Sequence, residues 1–202
     1  MPRRSKQVIR AEIQDAAIAL FKTKSYNEIS MIEVAAKASV AKRTLYKYFP
    51  SKITLFAYIF EYYLRMFLDD EMTGTYEGLD FKETSMEMLK RLYDFTEQNE
   101  GFMRLFWMLN SESTPGEVPE ELLNHINYWN TRIIEKFAGI LSTKEATGLY
   151  KSVSPELVVQ VFSAINKGIY LQITKGEGLG MSNLNRHELL EAFCNMLMYC
   201  GV

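Results

Sequence analysis

Apolar residues recur at three- and four-residue spacing along almost the whole chain, and no stretch sustains the alternation of a half-buried strand. That regularity restricts the fold to packed helices. Ile9, Ile13, Ala16, Ala17, Leu20 and Phe21 mark a first helix of about 18 residues, broken near Lys24-Ser25-Tyr26. Ser30 with Glu33 three residues later makes a capping box, which opens a short second helix over 31–37. A turn at Ala38-Ser39-Val40 leads to a third helix ending near Phe49, where Pro50 stops it. Ser51 can cap a fourth helix running from Lys52 to about Asp70. Longer helices are expected over about 80–98, 101–111, 119–141, 155–175 and 186–200. Breakers separate them at Gly74/Gly78, Pro115-Gly116, Gly148 with Pro155, and Gly176/Gly178/Gly180. The predicted architecture is all-α: a three-helix head, a long fourth helix, and a C-terminal bundle. At 202 residues such a chain buries a core without disulfide or metal staples.

Charge divides the chain unevenly. Residues 1–52 hold 11 Lys/Arg against 4 Asp/Glu, while residues 53–202 hold 12 against 21. A basic first quarter on a mildly acidic protein points to a polyanionic partner for that quarter. Two short helices joined by a three-residue turn, the second rich in cations, fit a helix-turn-helix. On a helical wheel with Leu45 at the origin, Ala41, Tyr48 and Phe49 fall on one dry side. Arg43 and Lys47 fall nearly opposite, flanked by Thr44 and Tyr46. Long cations opposite an apolar seat can reach base edges in a major groove, and the flanking hydroxyls can reach phosphates.

These residues carry a resemblance. Ala16-Ala17-x-x-Leu20-Phe21, Tyr26, Ser30, Glu33-Val34-Ala35, Ala38-Ser39-Val40, Lys42-x-Thr44-Leu45-Tyr46, Phe49-Pro50-Ser51-Lys52 and Leu55 lie in one register. Over residues 9–60 the chain resembles the TetR (tetracycline-repressor) family of bacterial regulators. The resemblance implies a recognition helix read through Lys42, Arg43 and Lys47, with Thr44 and Tyr46 on phosphates and groove edges. It also implies that Lys52, at the start of the fourth helix, joins the helix amides in holding a phosphate. Arg3, Arg4 and Lys6 form a basic arm that can reach an adjacent groove. The chain departs from the family pattern at Ser25 and Ser39, where glycine is frequent, and at Ala41, where a capping serine is frequent. Arg43 and Lys47-Tyr48 also depart, making the base-facing surface unusually cationic. The DNA-binding domain is expected over 1–52 and a ligand-binding and dimerisation domain over 53–202.

The middle of the chain is heavy in aromatic and Met residues, an adaptable lining for an apolar or planar effector. Phe67, Phe106, Trp107, Tyr128 and Trp129 are the candidate ligand-binding residues. By the same resemblance a homodimer pairs through 155–175 and 186–200, and the fourth helix links effector to head. Apolar residues in those two segments, Leu157, Val161, Ile165, Phe193 and Leu197 among them, exceed what one small bundle needs to cover. The expected function is a repressor that binds an inverted-repeat operator as a dimer and is released by a small molecule. A second reading, a small-molecule-binding protein of the same fold without specific DNA binding, attaches to the uncapped Ala41.

Other chemistry lacks a motif. Cys194 and Cys200 form neither a disulfide framework nor a zinc pattern and read as buried thiols. Lys175-Gly176-Glu177-Gly178-Leu179-Gly180 follows a helix, so it matches neither nucleotide fingerprint, and no cofactor is expected. Glu121 with His125, and His187 with Glu191, each supply two groups where a catalytic zinc takes three, so no metal is expected. No catalytic residues are assigned. The basic start runs into an amphipathic pattern, not an apolar signal region, and no long uncharged apolar run suits a bilayer. A cytoplasmic location without a membrane partner is therefore expected.

Overall fold

Ser30 and Ser51 cap helices as the sequence reading expected, and Ser5 and Asp80 cap two more. The computed structural model describes residues 5–69, 76–109, 118–144 and 153–176, together with 188 and 192. Among them every regular element is a helix: α1 Lys6–Phe21, α2 Met31–Lys37, α3 Lys42–Tyr48, α4 Lys52–Asp69, α5 Phe81–Gln98, α6 Glu100–Leu109, α7 Glu120–Ser142 and α8 Pro155–Gly176. The expected helix over 186–200 lies, apart from positions 188 and 192, outside the described residues. Ser5 Oγ accepts the Val8 amide at 3.2 Å, Ser30 Oγ that of Glu33 at 3.1 Å, and Ser51 Oγ that of Thr54 at 3.1 Å. Asp80 and Glu83 cap α5 reciprocally, at 2.7 and 3.0 Å. No described helix is long and apolar enough to cross a membrane.

The chain forms two compact units, Met1–Arg65 with Asn99–Tyr128, and Met66–Gln98 with Trp129–Val202. In the first, α4 is the hub. Ile53, Leu55, Phe56, Ala57, Ile59 and Phe60 are all buried. Phe56 meets Phe21 of α1 and Tyr26 edge-on, both at 5.1 Å. Tyr58 packs on Phe49 at 5.7 Å, and the Arg10 guanidinium of α1 lies 4.1 Å over the Tyr58 ring. Phe60 stacks on Phe102 of α6 at 5.2 Å. Burying one such aromatic contributes about 1.5–3 kcal/mol, and each ring pair about 0.5–1.5 kcal/mol beyond the area term. In the second unit Phe67 packs on Phe95 of α5 at 4.9 Å and on Phe137 of α7 at 5.9 Å. Val158, Val159 and Phe162 of α8 are buried there, where α8 contacts α5.

The turn between α2 and α3 sets the angle of the helix-turn-helix. Its bonds are those of a Schellman ending: the Ser39 amide donates to Ala36 O at 3.1 Å and the Val40 amide to Ala35 O at 3.0 Å. That geometry requires a left-handed residue, and Ser39 supplies it at φ +52. A non-glycine residue there costs of order 1–3 kcal/mol. Ser39→Gly should leave stability unchanged or raise it by up to about 1 kcal/mol, whereas Ser39→Val should lower it by about 1–2 kcal/mol. Urea unfolding followed by circular dichroism measures both, and equal midpoints would contradict the assignment of strain to this turn.

Candidate nucleic-acid interface

Helix α3 is seated by its own apolar residues. Leu45 and Phe49 are fully buried, and Tyr48 is half-buried. The opposite side is open: Lys42, Arg43, Tyr46 and Lys47 are exposed, with Thr44 half-buried at the edge. Lys42 Nζ lies 5.9 Å from the centre of the Tyr46 ring, so these two share one patch. Arg43 and Lys47 have no ion-pair partner among the described residues. Five side chains thus project from a seven-residue helix held by two buried anchors. Ala41 does not join the dry stripe that the wheel assigned to it; it is exposed. The reason is local: Ala41 is the N-cap, with extended backbone at φ −66 and ψ 143, so helical periodicity does not reach it. It offers no side-chain cap, which costs about 0.5–2 kcal/mol relative to serine.

Lys52 opens α4 as expected, and its ammonium is turned onto the α1–α2 connection. Its Nζ donates to Tyr26 O at 2.7 Å and Ile29 O at 2.9 Å, and lies 4.1 Å over the Tyr26 ring. Burial holds the ammonium below the usual lysine range. A cation engaged on two carbonyls and an aromatic face fastens the α1–α2 connection, with one of its three N–H donors left over. The same connection is braced by Lys24 paired with Glu33, whose carboxyl is held low first by that bond. Ser25 braces it too, donating its amide and hydroxyl to Glu28 Oε2 at 2.8 and 2.7 Å. Arg104 of α6, which sequence reasoning passed over, donates to Phe21 O at 2.7 Å and Lys24 O at 2.9 Å. The available signal was a lone cation inside the apolar run Phe102-Met103-Arg104-Leu105-Phe106.

The aromatic candidates for effector binding divide between the units. Phe106, Trp107 and Tyr128 belong to the first, and Phe67 and Trp129 to the second. Phe106 and Trp107 meet edge-on at 5.4 Å, and Trp107 Nε1 is buried without a hydrogen-bond partner among the described residues. Tyr128 is 55% exposed. Phe67 is packed between Phe95 and Phe137 and is 2% exposed. Trp129 is half-buried.

Known proteins resemble the chain in sequence and in fold. Residues 13–59 match the family model of bacterial regulatory proteins of the tetR family. The nucleoid occlusion factor SlmA of Shewanella pealeana is 25% identical over 171 residues, which cover 83% of this chain and 84% of that protein. The fold is that of the transcriptional regulator FadR from Bacillus subtilis, solved in complex with stearoyl-CoA. Its TM-score is 0.64 at 16% identity, over 94% of this chain and 98% of FadR. A TetR-like transcriptional regulator from Rhodococcus sp. RHA1 superposes with a TM-score of 0.60 at 19% identity, over 95% of this chain and 94% of that one.

The position of Lys52 has a measurable consequence. Lys52→Ala removes two charge-assisted hydrogen bonds and should lower unfolding stability by about 1–3 kcal/mol. A lost phosphate contact would instead flatten the dependence of DNA affinity on salt by about one unit of log–log slope. Denaturant unfolding and a salt titration of DNA binding separate these roles. A flattened slope at unchanged stability would return Lys52 to the phosphate backbone.

Proposed function

We propose that this chain, a member of the TetR family of bacterial regulatory proteins, is a repressor that binds an inverted-repeat operator as a dimer and leaves it when a small molecule binds. The observation that carries this reading is α3, with Leu45 and Phe49 buried and Arg43 and Lys47 exposed on a helix that contacts α2. Arg43, Lys47 and Lys42 read base edges, and Thr44 and Tyr46 hold the backbone of the duplex. The division of labour follows the boundary at residue 52, with DNA binding before it and ligand binding and dimerisation after it. A repressor of this kind meets its operator in the cytoplasm.

Dimerisation is proposed through α8 and the segment 186–200. Leu157 and Val161 of α8 are 49% and 42% exposed. Ala164 and Gly168 continue the same stripe at helical spacing and are exposed as well. Val158 and Phe162, on the other side, are buried within the protomer. A two-fold axis along the exposed stripe sets two recognition helices about 34–36 Å apart, or a multiple of that, on one face of a duplex.

The effector is proposed to bind beside Phe106 and Trp107. The buried indole N–H of Trp107 lacks a partner among the described residues, a cost of about 1–3 kcal/mol that a ligand acceptor removes. The ligand class is therefore an apolar or aromatic body bearing a carbonyl, carboxylate or similar acceptor. Stearoyl-CoA, bound by FadR, is one molecule of that description. Ligand binding reaches the operator through α4, by a coupling of about 1–3 kcal/mol.

In vitro selection of bound duplexes tests the reading. The wild-type chain should select an inverted repeat. Arg43→Ala and Lys47→Ala should each relax the selected sequence and weaken binding by about 1–3 kcal/mol. Selection of no duplex, or of the same sequence at the same affinity by both variants, would remove the proposed role of α3.

The dimer is tested separately by Val161→Glu. Because Val161 is already exposed in the protomer, a glutamate there should leave helicity intact while converting a sedimenting dimer into a monomer. A Val161→Glu variant that stays dimeric at micromolar concentration would rule out α8 as the pairing face.

A further inference from the structure

Helix α1 ends at Phe21, and its last carbonyls have no partner inside the helix. The carbonyls of Ile18 and Leu20 are met by the amides of Lys22, Thr23 and Lys24 just beyond the helix. That of Phe21, and that of Lys24 in the following turn, are met from far along the chain. The Arg104 guanidinium places Nη1 2.7 Å from Phe21 O and Nη2 2.9 Å from Lys24 O, with its carbon 4.3 Å over the Phe21 ring. Two fixed bonds and a face contact form a directional joint that lysine, a single point of charge, does not reproduce. The approach is close: a Cβ on Gly101, one turn earlier in α6, would lie 3.1 Å from Tyr63 Oη and 3.5 Å from Phe21 Cδ1. Phe21 in turn packs on Phe56 of α4, at the centre of the head. On the other side, Phe106 and Trp107 follow Arg104 by two and three residues on the same helix.

We propose that Arg104 is a positioning residue that joins α6 to the recognition head through α1, a path beside the one through α4. The inference rests on the DNA-binding reading above. The Phe60–Phe102 stack also ties α6 to the head, but ring stacks tolerate sliding. A bidentate fork on two carbonyls does not, so displacement of α6 moves the end of α1 with it. DNA that displaces the end of α1 should therefore displace α6 and change the surroundings of Trp107 through the same joint.

Fluorine NMR of the full chain labelled with fluorotryptophan reads this without an effector. Trp107→Phe assigns the Trp107 resonance. A duplex from in vitro selection should shift that resonance in the otherwise unsubstituted chain. Arg104→Gln should still bind the duplex but lose the shift, and Arg104→Lys should show a smaller one. Retention of the full shift in Arg104→Gln overturns the proposal. If the Gln variant does not fold, an undiminished shift in Arg104→Lys overturns it equally. A wild-type chain that binds its selected duplex with no change at Trp107 sinks the joint alone. A wild-type chain that selects no duplex sinks the DNA-binding reading.

Discussion

The first unit depends on α4 being apolar over most of its circumference. Between Ile53 and Phe60 only Tyr58 is not buried, so no face of this stretch is left to water. A helix buried in this way needs partners on several sides. Phe21 and Tyr26 cover Phe56, Phe49 packs beside Tyr58, and Phe102 covers Phe60. Helix α3 inherits its position from this arrangement, because Phe49 closes α3 and packs on Tyr58 of α4. The large apolar term is therefore what aims the cations.

Burying that many rings brings backbone with it. The connection between α1 and α2 runs against the core, and its carbonyls need donors. Lys52 and Arg104 supply them, each with two carbonyl bonds and one aromatic face. Neutral donors would satisfy the same carbonyls; a cation also gains from the ring and from the negative end of α1. A loop fastened at Phe21, Lys24, Tyr26 and Ile29 has little freedom of its own. Motion in the head is thus expected as rigid displacement.

Three departures from the family pattern have three different physical outcomes. At Ser25 the side chain makes bonds to Glu28 that glycine lacks, without a left-handed backbone. At Ser39 the backbone is left-handed, and the residue bears the strain glycine avoids. At Ala41 the backbone is an ordinary N-cap, and what is missing is the capping oxygen. One substitution adds a brace, one stores strain, and one leaves α3 without a side-chain cap. Both costs fall on the segment that presents α3.

The sequence by itself determined what is local. Helix periodicity, the serine caps at 30 and 51, the stop at Pro50 and the opposed faces of α3 all depend on residues within one or two turns of each other. The wheel therefore placed Leu45 and Phe49 inside and Arg43 and Lys47 outside, and failed only at Ala41, where the helix had not begun. Tertiary structure decided the rest, because it depends on contacts between distant residues. The carbonyls held by Lys52 lie 23 and 26 residues away, and those held by Arg104 lie 80 and 83 residues away. No spacing rule connects such pairs. An aromatic at helical spacing likewise reads the same whether it is core like Phe67 or exposed like Tyr128. On α8, periodicity marks one apolar helix; only packing against α5 decides that Val158 and Phe162 face inward and Leu157 and Val161 face out.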